Sequence, residues 1–418
     1  MNIINTIGIL SKIAIRNVFR NKRRSFITSA AIAFGLAILI HLNGFNDGFN
    51  EQMINNVVRL QTGHIQISEA EFHQEIDTAK FISEPDRIIE DIYSANLTPY
   101  VKAVTKRVMF QALISSTRNS AGAMVVGISP KEERQVSVLE RTIVKGGYLK
   151  EADSPSILIG ERLAKNLSVD LGDKIVLLTQ AYDGSMGARA LRIRGIFRTG
   201  IPEIDRSTVY IPLNTAQKIA GYESEVSVIV VLLQKSQYLE SIYRSLSLSL
   251  KDRGLEILTW KDLAPDMVEI IRINKVNIYI VMGIVFTLVA MGILNTMLMS
   301  VFERFREIGI IMTIGMRDRQ IVLMILLESF FLAAIAGSIG VIIGLGDIWY
   351  LSKYGFDFSQ FSHGIGRFLG INTIIYSMFT WKGILIPLLF VFSISIIAAL
   401  YPALKAARLE IVDTLRHI

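Results

Sequence analysis

The sequence predicts a membrane protein with four transmembrane α-helices, in which a large α+β domain separates the first helix from the other three. Three observations predict this fold class. The 418-residue chain is 51% hydrophobic, with a mean hydropathy of +0.43, and is therefore more apolar than an ordinary soluble protein of this length. Four apolar runs each approach the roughly 20 residues that a helix needs to cross a bilayer. Basic residues concentrate beside those runs.

The placement of charge indicates which ends of the apolar runs face the cytoplasm. The net charge is +7, and the excess lies in three short segments, 1–24, 303–320 and 404–418. Lysine and arginine collect on the cytoplasmic side of membrane proteins. The rest of the chain has no net basic charge for a nucleic-acid surface. The chain also has no cysteine, which excludes disulfides and thiolate metal sites.

These flanks divide the chain into nine predicted segments. They are a cytoplasmic N-terminal segment (1–24), the first span (25–45), an external domain (46–275), the second span (276–302), a cytoplasmic segment (303–320), the third span (321–345), an external loop (346–382), the fourth span (383–404) and a cytoplasmic tail (405–418). Both termini are then cytoplasmic. A cleaved signal peptide is the alternative for the first span, but the small residues Ser29–Ala31 lie at its start, away from a cleavage-like end.

The external domain shows alternating strands and short helices. Residues 63–68 alternate as a strand does, and residues 154–180 have the pattern of a strand, a short helix, a Gly-Asp turn and a second strand. Further strands are expected at 190–197, 207–213, 224–233 and 254–260, with helices over 214–220 and 240–251. The apolar run 224–233 is expected to be buried on both faces. A linker near 151–155 could divide the domain into two subdomains.

Five residues inside the spans are candidates for membrane packing. Span 3 repeats small residues at Ala336, Gly340 and Gly344, which allows another helix to approach closely. Asn295 and Glu328 are polar, and an intramembrane carboxylate is a candidate functional group. Because Glu328 lies about 10 Å into its span, we favour a paired or hydrated carboxylate near the cytoplasmic interface over a functional group.

Motifs for catalysis and for bound groups are mostly absent. The sequence has no GxxxxGK[ST] phosphate loop and no HExxH zinc motif. The segment 183–187 only approaches GxSxG, because Asp183 replaces the first glycine. His64 and His73 lack the spacing of metal ligands. We therefore expect neither a catalytic site nor a metal or cofactor in this chain, and a membrane-anchored hydrolase is disfavoured.

The charged segment 303–320 is predicted to be a helix at the cytoplasmic membrane surface. Glu303 can pair with Arg306, and Arg304 with Glu307, at i, i+3, so this turn is expected to prolong the second span. The apolar centre, residues 308–314, is too short to cross lipid and is typical of an interfacial helix or of one that sits in a partner's groove. Gly315 can end the helix in a left-handed conformation.

Several motifs, in order along the chain, resemble one family of membrane proteins. The segments 16–28, 303–321 and 401–416 flank the spans, and 62–68 and 159–177 lie in the external domain. Together they resemble the MacB/FtsX/LolC-LolE superfamily of ABC transporter permeases, also called type VII ABC transporters. The resemblance covers nearly the whole chain and implies a MacB-like periplasmic domain in a bacterial inner-membrane protein.

The resemblance also implies a function and partners. Such a permease is a dimer, homo- or heteromeric, that binds a LolD- or MacB-type ATPase, here expected on another chain that binds ATP and Mg. It couples ATP hydrolysis to periplasmic movement by mechanotransmission. The expected ATPase-coupling residues are Glu303, Arg304, Arg306, Glu307, Ile308, Gly309 and Gly315. The expected cytoplasmic C-terminal motif comprises Tyr401, Pro402, Ala403, Arg408, Leu415 and Arg416.

Lipoprotein release from the inner membrane is the leading function, and a periplasmic carrier or a lipoprotein cargo is the further partner that this function implies. One departure concerns the hook loop with which LolC recruits its carrier, because the matching residues 181–190 look too short for a hook. MacB-like export of a small molecule or peptide, and FtsX-like signalling to a cell-wall hydrolase, are the alternatives. A secondary transporter is disfavoured because the four spans show no repeat symmetry.

Overall fold

The computed structural model describes residues 3–150, 155–250, 253–357 and 374–408. The helices are α1 (Ile3–Arg20), α2 (Lys22–Val57), α3 (Pro85–Ile92), α4 (Pro130–Val136), α5 (Glu161–Leu167), α6 (Pro202–Ser207), α7 (Leu213–Ala220), α8 (Leu239–Ser249), α9 (Trp260–Leu263), α10 (Pro265–Glu303), α11 (Phe305–Thr313), α12 (Asp318–Tyr354) and α13 (Trp381–Ala407). The strands are β1 (Ile65–Glu69), β2 (Val101–Ser115), β3 (Ser120–Ile128), β4 (Ile143–Gly146), β5 (Ser156–Gly160), β6 (Lys174–Gln180), β7 (Met186–Phe197), β8 (Thr208–Pro212), β9 (Val228–Leu233), β10 (Leu255–Thr259), β11 (Phe356–Asp357) and β12 (Ile374–Ile375).

The chain divides into two units, which we call the membrane unit and the strand-rich unit. The membrane unit comprises residues 1–50, 271–356 and 375–418, and the strand-rich unit comprises 51–270 and 357–374. Four helices are long and apolar enough to cross a membrane: α2 with the turn that follows it, α10, α12 and α13. This confirms the predicted fold class of four apolar helices plus a large mixed domain.

Apolar contacts hold the membrane unit together. Its main cluster joins Leu36 of α2, Ile293 of α10, Ala336 of α12 and Val391 of α13, all of them buried. The helices extend beyond the apolar runs that predict the spans. In particular, α12 continues to Tyr354, so the predicted loop 346–382 begins as helix. Hydropathy marks only the part of a helix that suits lipid, whereas helical hydrogen bonding continues past it.

The strand-rich unit is built on one mixed sheet. Within the described residues its order is β10-β1-β9-β2-β3-β8-β5-β7-β4, and β6 pairs with β2 and β7. Most pairs are antiparallel, but β3 runs parallel to β8 and β5 runs parallel to β7. Three of its helices, α3, α4 and α6, begin at a proline, which suits the first turn of a helix. Helix α7 follows β8 directly and ends at Gly221, which has a left-handed conformation.

Strand pairing decides one expectation about this sheet, and the burial of β9 decides another. The division near 151–155 is wrong, because β4 and β5, on either side of that linker, both pair with β7 in a single sheet. The expectation for 224–233 is confirmed for 228–233, since every residue of β9 is buried, but Ser224 is exposed and lies outside the strand. The first and last main strands, β1 and β10, are paired neighbours, with Ile65 opposite Thr259. The chain therefore enters and leaves this sheet at the same edge.

Candidate functional site

The candidate site is the segment that connects α10 to α12. Helix α10 ends at Glu303, Arg304 is not helical, and α11 starts anew at Phe305. The expectation that Glu303–Glu307 prolong the second span is therefore wrong. Gly315 follows α11 with a φ of +104° and donates to Met312 O at 3.0 Å, so it ends the helix in the positive-φ region that glycine tolerates.

Arginine–carboxylate pairs tie this segment to other helices, and we call the set the charged junction. Arg20 of α1 binds Glu307 of α11 through two bonds, Nη1 to Oε2 at 2.7 Å and Nη2 to Oε1 at 2.5 Å. Arg304 donates to Glu307 at 3.3 Å and to Glu328 of α12 at 3.3 Å. One ionic chain therefore runs from α1 through α11 to α12.

A second branch of the charged junction ends on Glu303. Arg24 of α2 donates to Glu303 Oε2 at 2.8 Å and to Ser300 Oγ at 2.9 Å, and Ser300 donates to Glu328 at 3.4 Å. The expected pair of Glu303 with Arg306 is therefore wrong: in the structure Glu303 pairs with Arg24. The helix is interrupted at Arg304, and the interruption removes the helical spacing that an i, i+3 pair of Glu303 and Arg306 requires.

Electrostatics keep the outer pair of the charged junction ionised. The hydrogen bond from Arg20 lowers the pKa of Glu307 to about 2, with a further contribution from Arg304. Glu307 in turn raises the pKa of Arg20. A carboxylate with a lowered pKa contributes stability above its unfolded value near 4.3, and loses it only as the pH falls through about 2. The pair is therefore intact across the physiological range.

The inner side of α11 packs on apolar residues. Ile308 and Gly309 are buried, and Ile308 belongs to a cluster with Ile321 and Ile325 of α12 and with Ala403 and Ala406 of α13. Two of the predicted coupling residues thus lie inside the fold. Ala403 belongs to the C-terminal motif, so this motif packs in the same cluster as Ile308, a relationship that the sequence does not reveal.

The structure separates the members of the C-terminal motif. Pro402 and Ala403 are buried, whereas Tyr401 and Arg408 are exposed. Leu415 and Arg416 lie outside the described residues. Lys405 lies over the ring of Phe302, 5.0 Å from its centroid. The motif therefore joins the end of α13 to the end of α10.

The outer side of α11 is an exposed face that the sequence only partly predicts. Arg306, Ile310 and Ile314 are exposed, and Ile314 retains 81% of its accessible surface. Their spacing of four residues places them on one side of the helical turn and its C-cap. Arg306 forms no ion pair with any described residue. The apolar centre of the segment is expected to dock, but only the three-dimensional packing distinguishes these outward isoleucines from the inward Ile308.

The predicted packing residues fall into two groups. Ala336, Gly340 and Gly344 are buried, and a Cβ on Gly340 would lie 2.7 Å from Ala33 O of α2, so the small-residue face of α12 packs on α2. Glu328 is buried, with 4% of its surface exposed, and is held by Arg304 and Ser300. Asn295, in contrast, is exposed on α10. No described helix of this chain covers it, so its expected role in membrane packing stays a prediction.

The described residues contain no cluster of three or more His, Asp or Glu side chains placed to hold a metal ion. His64 is committed to the fold: its Nδ1 accepts from Leu233 N at 3.1 Å. The candidate site therefore combines the arginine–carboxylate pairs of the charged junction, a buried apolar inner side and an exposed apolar outer side.

Comparison with known proteins identifies related chains. Residues 25–247 match the family described as MacB-like periplasmic core domain, and residues 279–411 match the FtsX-like permease C-terminal family. The chain is 24% identical to a lipoprotein-releasing system transmembrane protein LolC of Xylella fastidiosa, over 95% of this chain and 96% of that protein. It is 23% identical to a macrolide export ATP-binding/permease protein MacB of Rhodopseudomonas palustris, over 82% of this chain and 52% of that protein.

Among solved structures, the strand-rich region is similar to the extracellular domain of the ABC-type transporter YknZ from Gram-positive bacteria. The match covers 47% of this chain and 99% of that domain, with 15% identity and a TM-score of 0.33.

Proposed function

Since this chain belongs to the ABC transporter permease family that combines a MacB-like periplasmic core domain with an FtsX-like C-terminal domain, we propose that it couples ATP hydrolysis in a separate ATPase chain to movement of its strand-rich unit. In this proposal ATP and Mg bind to the partner. The chain lies in the inner membrane with both termini cytoplasmic and the strand-rich unit periplasmic. It works as a dimer with a second permease chain, and it has no catalytic role itself.

The exposed face of α11 is the observation that carries this proposal. A docking helix needs an apolar anchor that the rest of its own chain leaves uncovered, and Ile310 and Ile314 provide one beside the exposed Arg306. It also needs a fixed orientation, and the charged junction ties α11 to α1 and α12. A force applied to α11 would therefore reach the membrane-spanning helices.

Substituting Ile314 with aspartate tests the docking face directly. We expect I314D to weaken ATPase co-purification by about tenfold or more, because an interface anchor contributes upwards of about 1–2 kcal/mol. The exposed turn residue Leu171 provides the control, since L171D also places an aspartate on an exposed apolar position, in the strand-rich unit. Both proteins should remain folded, because each side chain is exposed. Normal ATPase binding by I314D would refute the docking role of α11.

A second variant tests the supports of that face. Glu303→Lys with Glu307→Lys places cations beside Arg24 and Arg20, in place of the carboxylates that bind them. We expect α11 to lose its orientation, so that the ATPase co-purifies less or hydrolyses ATP without coupled activity. Fully coupled activity in this double variant would show that the charged junction has no part in coupling.

Lipoprotein release is the cargo function we favour, because the match to LolC runs along 96% of that protein. The β6–β7 connection is a short turn, in which Ala181 donates to Ser185 O at 2.8 Å. The chain therefore lacks a protruding hook at this place, and we propose that any carrier is recruited by the second permease chain. Trapping a lipid-modified protein on the complex would support this cargo. Trapping only an exported small molecule or peptide would favour MacB-like export instead.

A further inference from the structure

The chain enters the sheet through one turn whose backbone carbonyls accept three hydrogen bonds from residues of the strand-rich unit. After α2, residues Val58–Thr62 form a single π-helical turn. The last carbonyls of a helix have no partner inside it. Here Arg59 O accepts from Val138 N at 3.1 Å, Gln61 O from Arg107 Nη1 at 2.5 Å, and Thr62 O from Gln66 Nε2 at 2.8 Å. The end of this helix is therefore anchored in the sheet.

Arg107 belongs to the most buried ion pair among the described residues. Its Nη2 and Nε donate to the two carboxylate oxygens of Glu133, at 2.6 and 3.2 Å. The side chains are 4% and 1% exposed. Such a fork fixes the guanidinium plane, so that Nη1 is held where it donates to Gln61 O. Glu133 therefore positions Arg107, and Arg107 holds the turn.

The two residues after the turn are equally constrained. Gly63 has a φ of +66°, and an added Cβ would lie 2.3 Å from a Val230 methyl carbon, so only glycine fits there. His64 O accepts from Trp260 N at 3.1 Å, where the chain leaves β10. His64 therefore ties the incoming chain to the outgoing chain.

We propose that these residues, Val58–His64 with Arg107 and Glu133, form a rigid joint through which displacement of α2 is transmitted to the sheet. We call them the entry joint. This inference rests on the proposed function and names the residues that would carry its movement. Arg107 and Glu133 are positioning residues, and neither contacts cargo or nucleotide. A frayed helix end would absorb movement of α2 as local unwinding, whereas an end with bonded carbonyls passes the movement on.

The test removes the joint while preserving the fold. In R107M/E133L both buried charges are replaced by apolar side chains of similar size, a change that often leaves stability unaffected, while Gln61 O loses its donor. The control is K106M/D86N, which removes the ion pair between Lys106, the neighbour of Arg107 on β2, and the exposed Asp86 of α3. The chain contains no cysteine, so two spin labels can be attached at Arg118→Cys and Ser352→Cys, both exposed positions.

The measurement is the label-to-label distance in the complex with its ATPase, without nucleotide and with ATP plus vanadate. We expect the wild-type complex and the K106M/D86N control to show the same nucleotide-dependent shift. R107M/E133L should hydrolyse ATP normally and lose most of the shift. In case R107M/E133L does not fold, R107K provides a conservative test: it keeps the cation beside Glu133 but has no fork to reach Gln61, and it should show a reduced shift.

Two results would overturn the proposed role of the joint. The first is a full shift in R107M/E133L, or in R107K if the double variant does not fold. The second is an equal loss of the shift in the K106M/D86N control. A wild-type complex that shows no shift would instead refute the proposed coupling function, and the role of the joint would fall with it. The wild-type measurement therefore separates the two failures.

Discussion

The charged junction and the entry joint use the same chemistry in opposite surroundings. In the entry joint, Arg107 and Glu133 are almost completely buried and fix one backbone carbonyl. In the charged junction, the Arg20–Glu307 pair is 57% and 41% exposed, and its ionic chain passes inward to the buried Glu328. A buried ion pair stays formed, because separating its members would leave an unpaired charge in the protein interior, which is costly. Exposure leaves a pair screened and adjustable, which suits the docking surface that we propose on α11.

The sharpest test of this comparison is to remove one half of the buried pair. Arg107→Met leaves Glu133 as an uncompensated buried charge, and we expect the free energy of unfolding to fall by about 3–5 kcal/mol. Proteolysis of the purified full chain across a urea series measures it. The matched control is Arg198→Met, which breaks an exposed two-bond pair with Glu161 and should cost less than about 1 kcal/mol. Equal losses in the two variants would contradict the distinction by burial.

Acid should weaken the entry joint through His64. Burial lowers the pKa of His64 to about 4 from an ordinary value of 6.5. The unfolded state therefore takes up the proton first, so this stability is complete above about pH 6.5 and is lost as the pH falls towards 4. The shift corresponds to about 3 kcal/mol. Unfolding measured at pH 7 and at pH 4 should show this loss in the wild type and not in His64→Gln.

His73 stays in both proteins of that experiment. Burial lowers its pKa as well, so only the difference between wild type and H64Q reports on His64. Identical pH dependence in the two proteins would show that the joint is insensitive to this histidine.

The third prediction concerns apolar contact within the membrane unit. Leucine at Gly340 would collide with Ala33 O of α2, and overpacking of this kind costs about 1–3 kcal/mol. The thermal unfolding midpoint in detergent should fall. Gly346 lies on the same helix, and a Cβ added there would meet no described atom within 4 Å, so G346L should leave the midpoint unchanged. If both variants behave alike, helix propensity and not close packing determines the result.

The smallest effect is expected at the outer pair of the charged junction. Arg20→Met removes an exposed partner of Glu307, and the unfolding midpoint should change less than in Arg107→Met or in Gly340→Leu. The remaining difference should disappear in high salt, because exposed pairs are screened. A large, salt-independent loss would mean that this pair acts as a buried strut and would remove the contrast with the entry joint.

Much of the fold follows from local pattern. The strand–helix–strand of β5, α5 and β6 and the buried strand β9 are predictable because each shows its periodicity or apolar run over a few residues. Strands β2 and β3, in contrast, form the centre of the sheet and are absent from the sequence-based prediction. Partners far apart in sequence are also invisible to local rules: Arg20 and Glu307 are 287 residues apart. The i, i+3 rule suggests Arg306 as the partner of Glu303 because it cannot take the remote Arg24 into account.

The order of residue types along the chain is enough to establish the class of this protein: four apolar helices, a mixed domain between the first two, and a charged segment between the second and the third. Hydropathy and charge suffice for this because transfer into lipid depends on composition along the chain. Tertiary packing was needed to show which isoleucines of α11 face outward, which carboxylate holds which arginine, and that Arg107 holds the end of α2. Those choices depend on burial and on distances between remote residues, and neither is encoded in any local stretch.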